Sequence, residues 1–152
     1  MGHVYSLNVN PLGGVPKYPV NKIKIEFTGV DGDKQNDLKY HGGPTRAVCL
    51  FSLERIEQLQ SEGHPIDIGS TGENITIKGI DWGILKSGTR ISIGDVLIRL
   101  TDTAPPCKTI IKSFNGGNFT RILEKNNPGW SRWYASVIRE GVINTNDTVS
   151  LE

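Results

Sequence analysis

The chain contains two cysteines, Cys49 and Cys107, one methionine and three histidines in 152 residues. Two thiols so far apart in sequence exclude a disulfide framework and a zinc cluster of the usual spacing. Charge of one sign is also lacking. Seventeen basic residues against sixteen acidic ones leave a net charge of +1, so the footprint of a nucleic-acid binder and the basic face of a membrane-surface helix are both missing. No apolar run approaches the roughly 18 residues that cross a bilayer. The stretch Met1-Gly2-His3-Val4-Tyr5-Ser6-Leu7 has neither the basic start nor the apolar core of a leader, and its Gly2 with Ser6 is only a superficial match to a myristoylation pattern. The expectation is a soluble cytoplasmic protein that binds neither nucleic acid nor membrane.

What the chain has in quantity is glycine and proline, 18 and 8 residues spread over its whole length. Punctuation of that density cuts a chain into short strands and turns, which favours an all-β barrel or sandwich over a helical bundle. The length fits one domain, residues 1–152, with a core that needs no disulfide or structural metal. Val4 to Asn10 reads as a strand, followed by an irregular loop over 11–19. Asn21 to Phe27 alternates Ile23, Ile25 and Phe27 against Lys22, Lys24 and Glu26, the period of a half-buried strand. Ala47 to Phe51 is an apolar run that reads as a buried strand, making Cys49 inert packing. Ser52 then caps a short helix carrying Leu53, Ile56 and Leu59 and stopped by Gly63. Ile75 to Ile77 is a further strand, and Gly94-Asp95 between two alternating runs is a hairpin signal. A helix capped by Asn118, the aromatics Trp130, Trp133 and Tyr134, and a last strand from Thr148 complete the chain. The aromatics read first as core, with a flat ring lining a heterocycle pocket as the alternative, and His3 and His64 as solvated loop residues.

Two regions carry candidate chemistry. In Thr103-Ala104-Pro105-Pro106-Cys107-Lys108, two prolines take the backbone out of a β-ladder just before a cysteine. If the following residues open a helix, its N-terminal amides and Lys108 would favour a reactive thiolate; the alternative is a small buried hydrophobe. The second region is the polar, glycine-rich segment 28–46. Gly42-Gly43 can turn consecutive amides toward an anion, and Arg46 can add a bidentate grip; a tight turn with Arg46 paired to Asp31 or Asp33 is the competing reading. Asp31, Asp33 and Asp37 lack the spacing of a calcium loop. Glu73 and Asn74 stand where a glycine-rich turn meets a strand, from which polar groups can reach a pocket. There Glu73 can accept from a ring N–H or amine, or serve as a cap.

These stretches, taken in order, resemble the MOSC domain, named after the C-terminal part of molybdenum cofactor sulfurases. The resemblance runs through Gly32-Asp33, Leu38, His41-Gly42-Gly43-Pro44-Thr45-Arg46-Ala47-Val48, Gly72-Glu73-Asn74-Ile75-Thr76, Ile93-Gly94-Asp95 to Thr101, Pro106-Cys107, Pro128-Gly129-Trp130 and Trp133-Tyr134-Ala135. It implies a mainly β fold, a closed, pyruvate-kinase-barrel-like β-barrel with two or three short helices, in which Cys107 is the functional sulfur. It further implies a molybdenum cofactor, molybdopterin, with Cys107 as metal ligand; the residue-level reading fits this, with His41, Gly42, Gly43, Arg46, Glu73, Asn74 and Lys108 as candidate cofactor-binding residues. The phosphate would fall to Gly42, Gly43 and Arg46, and the ring N–H groups to Glu73. Reduction of N-hydroxylated compounds is one implied activity. A non-enzymatic sulfur carrier, with a Cys107 persulfide destined for a metal–sulfur cluster or a cofactor, is the other reading. No pyridoxal phosphate is expected in this chain, so a separate cysteine desulfurase or electron-transfer protein would serve it. Two departures stand out: Ser136 where the family often has arginine, and Asn146 where it often has glycine.

Overall fold

The computed structural model describes residues 1–34 and 43–152. Seven strands close into a barrel: β1 (Gly2–Val9), β5 (Val48–Ser52), β6 (Ile75–Lys78), β7 (Arg90–Ile93), β8 (Val96–Ala104), β9 (Arg132–Arg139) and β11 (Thr148–Leu151). Their order is β11-β7-β8-β9-β5-β6-β1, and β1 returns to β11 to complete the ring. Closure removes the free edges that an open sheet must protect. The pairs are antiparallel except β5 with β6, whose connection carries the α-helix α1 (Leu53–Ser61). A smaller sheet of β10 (Gly141–Asn144), β3 (Lys22–Glu26) and β4 (Gly29–Val30) lies beside the barrel. The mainly β expectation is met. Besides α1, the described helical segments are 3-10, among them Lys108–Ser113 and Phe119–Ile122.

The local signals act as physics requires. The Ser52 hydroxyl accepts from the Arg55 N–H at 3.1 Å, capping α1, whose Leu53, Ile56 and Leu59 are buried. Gly94, at φ 55°, occupies the first position of the two-residue turn between β7 and β8. Asn146 has φ 70°, a left-handed conformation that asparagine tolerates better than other side-chain-bearing residues. It thereby does a glycine's work.

Several expectations need correction. The loop over 11–19 ends earlier, because β2 (Tyr18–Val20) pairs with Leu7 to Val9 of β1; Pro19 is tolerated there because β2 lies at the sheet's edge. His64 is not a solvated residue. Its side chain is 9% exposed, Nδ1 accepts from the Asn115 N–H at 3.0 Å, and the ring stands edge-on to Phe114. His3 is exposed but belongs to β1. Trp130 is flanked by guanidinium groups, Arg55 at 4.2 Å and Arg121 at 4.0 Å from its ring centroid.

The face alternation of β9 positions everything that follows. Trp133, Ala135 and Val137 enter the main core, so Arg132 and Tyr134 lie on the opposite face. There Tyr134 stands across from Cys49 of β5, and Arg132 across from Ala104 of β8. Cys49, Ala104 and Tyr134 form a small buried cluster separate from the main core.

Candidate functional site

Against that second face lies a cavity of about 420 Å3. Its wall is made by the loop after β1 (Gly14, Val15, Lys17), the turn before β6 (Thr71, Gly72), the β8 exit (Pro105, Cys107, Thr109, Ile110), and the side chains of Cys49, Arg132 and Tyr134. Lys17, Lys34, Arg46 and Arg132 contribute cations, and Asp33 is the anion among the described lining residues. The surplus is positive, which suits an anionic ligand.

Arg132 organises this wall. It is 7% exposed; Nη1 donates to the Thr71 carbonyl at 2.5 Å, and Nη2 faces the carbonyls of Ala104 and Pro105 at 3.4 Å. One guanidinium thus ties the turn before β6 to the exit of β8. Its Nε is buried and has no hydrogen-bond partner among the described residues, on a side chain that lines the cavity.

Cys107 is partly exposed and faces the same space. Its backbone is extended (φ −144°, ψ −178°) and it precedes the 3-10 segment Lys108–Ser113. That segment replaces the expected helix opening at Lys108. The sulfur makes no cap hydrogen bond to it and instead lies 3.0 Å from Thr109 Oγ1. Cys49, across the cavity wall, is a different thiol. Burial pushes its pKa up to about 11, so it is protonated at neutral pH. It is buried, as expected of inert packing, yet it lines the cavity, which the apolar run around it did not reveal. Burial likewise raises the Tyr134 phenol, and Arg46 stacks 5.2 Å above its ring.

Residues 37–150 match the MOSC domain. The chain belongs to the MOSC domain family. This family is associated with the molybdenum cofactor. Among relatives, the uncharacterized protein YflK of Bacillus subtilis is 26% identical over 142 residues, covering 91% of this chain and 62% of YflK. The protein YiiM of Escherichia coli is 25% identical over 134 residues, covering 86% of this chain and 59% of YiiM. The chain therefore spans about three-fifths of the length of these relatives. The crystal structure of YiiM from Geobacillus stearothermophilus superposes with a TM-score of 0.73 at 22% identity, over 100% of this chain and 75% of that one, a likeness of fold. No helix among the described residues is long and apolar enough to cross a membrane.

The MOSC-derived site residues fall into three groups. Cys107, Arg46 and Asn74 line the cavity. Asn74 is nevertheless committed: Oδ1 accepts from the Cys49 N–H at 3.0 Å, and Nδ2 donates to Asp33 at 2.9 Å and to the Asn8 carbonyl at 3.3 Å. Glu73, Gly43 and Lys108 do not line it. Glu73 is 0% exposed, its carboxylate taken by the Gly69 N–H and the hydroxyls of Thr71 and Thr76 at 3.1–3.2 Å. It closes the turn before β6, in keeping with the capping role that was the alternative to a ring contact. Gly43, at φ 86°, starts the 3-10 turn Pro44–Arg46, and Lys108 is exposed. His41 and Gly42 lie outside the described residues.

Sequence reasoning missed Arg132, Lys17 and Thr109 as parts of the cavity, whereas a pocket-lining ring was one reading of Tyr134. For Arg132 a signal existed: a cation directly preceding the apolar run Trp133-Tyr134-Ala135 should be paired or functional if it is buried with that run. The MOSC arginine absent at Ser136 has a counterpart in position, since 132 and 136 share one face of β9. Of the competing readings for Arg46, pairing with Asp33 is displaced by Lys17, which holds both Asp33 oxygens at 2.8 Å.

Proposed function

We propose that this MOSC protein binds a molybdenum cofactor, with the Cys107 thiolate as a ligand to the metal, and reduces N-hydroxylated compounds using electrons from a separate carrier. The observation that carries the reading is the meeting of a soft, accessible sulfur with a buried donor that is unmet among the described residues, Arg132 Nε, in one cationic cavity. A phosphate-bearing cofactor needs donors and positive charge at one end and a thiolate at the other. The residues present fit that requirement.

In this reading Arg132, Lys17 and Arg46 bind the anionic part of the cofactor, and Arg132 does so while bracing the carbonyls before Cys107. Lys17 is kept in place by Asp33. Cys49 and Tyr134, both held protonated by burial, present neutral groups beneath the cavity and leave Cys107 as the thiol available to a metal. The metal, when bound, supplies two-electron redox chemistry. Residue Gly72, at φ 88° in the wall, keeps backbone rather than side chain against the ligand.

The test is molybdenum and pterin content of protein made in a cofactor-competent host, for the wild type and for Cys107→Ser and Arg132→Met. Near-stoichiometric cofactor in the wild type, lost in both variants, is the expected result. Absence of molybdenum and pterin from the wild type overturns the reading. Sulfur added to Cys107 by a cysteine desulfurase, seen by intact mass in metal-free protein, would favour the sulfur-carrier role instead.

A further inference from the structure

The backbone and the side chain of Cys107 are held by different means. Ahead of it, Pro105 and Pro106 fix two φ angles, and Arg132 Nη2 faces the carbonyls of Ala104 and Pro105. After it, the Ile110 N–H donates to the Cys107 carbonyl at 3.1 Å and closes the 3-10 turn. None of these contacts restrains rotation about the Cα–Cβ bond. The sulfur has a single hydrogen-bonding contact among the described residues, Thr109 Oγ1 at 3.0 Å.

We propose that Thr109 is a positioning residue for the Cys107 sulfur, holding it in one rotamer against the cavity. The proposal rests on the reading of Cys107 as the functional sulfur and adds a residue to it. Threonine suits the task for three reasons. Its hydroxyl both donates and accepts, so the contact persists whether the sulfur carries a proton, and offers it to Oγ1, or carries a metal or a second sulfur, and accepts from the hydroxyl. Its branched Cβ leaves it few χ1 rotamers, in one of which the hydroxyl meets the sulfur. Finally, the hydroxyl has no other partner among the described residues, and both residues line the cavity. The turn does not need this side chain, because its closing hydrogen bond is backbone to backbone.

The experiment compares wild type, Thr109→Val and Thr109→Ser, as intact metal-free proteins, by the Hα–Hβ couplings of Cys107 in solution NMR. Valine keeps the shape and branching and removes the hydroxyl; serine keeps the hydroxyl. The wild type is expected to give one large and one small coupling, the signature of a single rotamer. Thr109→Val should give two intermediate, averaged couplings, and Thr109→Ser should restore the split, with all three melting alike. Averaged couplings in the wild type, an unchanged split in Thr109→Val, or failure of serine to restore it would each overturn the proposal. A second measurement separates this from the cofactor reading: molybdenum affinity should fall about threefold to tenfold in Thr109→Val, the worth of one net hydrogen bond, and recover in Thr109→Ser. Rotamer averaging in Thr109→Val together with a wild type that takes up no molybdenum supports the positioning role and overturns the cofactor reading alone.

Discussion

Lys17 and Asp33 are joined twice over at the edge of the cavity, the ammonium lying 2.8 Å from each carboxylate oxygen. Their side chains are only 10% and 3% exposed. Asp33 also accepts the Asn10 N–H at 2.8 Å and the Asn74 Nδ2 donor at 2.9 Å, so one carboxylate gathers the loop after β1 and the start of β6. Removing one member of such a pair leaves the other charge buried. Asp33→Ala should therefore destabilise the protein by about 3 kcal/mol or more, read as a lowered urea midpoint. A loss under about 0.5 kcal/mol, the range of an ordinary surface change, would show that the pair does not organise the wall.

Arg132 makes a parallel prediction. Arg132→Met keeps bulk but leaves the Thr71, Ala104 and Pro105 carbonyls without this donor, at a cost of about 2 kcal/mol from unsatisfied groups. Arg132→Lys retains the charge and loses the planar fork that reaches both segments. It should recover little of the lost stability. Full recovery by lysine would mean that charge alone, not geometry, is what the site requires.

The two thiols should separate cleanly in alkylation. Iodoacetamide is expected to label Cys107 in the native protein and to reach Cys49 only with global unfolding, read by peptide mass mapping in a urea series. The Cys49 thiol is raised to about 11 by burial. A raised native value means that its contribution to stability is complete below the ordinary thiol range and is lost as pH climbs through about 11. Cys49→Ala should lack that alkaline loss. Rapid native labelling of Cys49 would contradict its placement beneath the cavity.

Glu73 offers a pH test of the turn before β6. Burial raises its carboxyl above the ordinary range, opposed by the Gly69 N–H and the Thr71 hydroxyl. The stability linked to this group is thus fully present below the ordinary carboxylate range and declines as pH rises through the raised native value. Glu73→Gln removes the titration, so its stability relative to wild type should improve from acidic to neutral pH. Urea midpoints of the two proteins at both conditions check the sign. A difference that moves the other way would show that the hydrogen bonds to the carboxylate outweigh its burial.

Local chemistry made much of this protein legible from residues alone. The alternation of Ile23 and Ile25 with Lys22 and Lys24, the Ser52 cap, the turn at Gly94 and the prolines before Cys107 each act within a few residues, and each forms as its composition requires. The ordered motifs from Gly32 to Ala135 likewise carried the MOSC resemblance, which the family match bears out. Side-chain direction was another matter. Glu73, readable as a pocket acceptor or as a cap, closes a turn, and Arg132, at the start of an apolar strand, lines the cavity.

That outcome has a plain cause. Whether a polar side chain is free or consumed depends on donors and acceptors brought in from distant parts of the chain, as the Thr71 carbonyl is to Arg132 and the Lys17 ammonium is to Asp33. Periodicity and turn chemistry are short-range and belong to the sequence itself. The cavity is a product of tertiary folding, which sets β5, β8 and β9 side by side and turns their second face toward the surroundings of Cys107. Only the tertiary structure could decide which charges meet there.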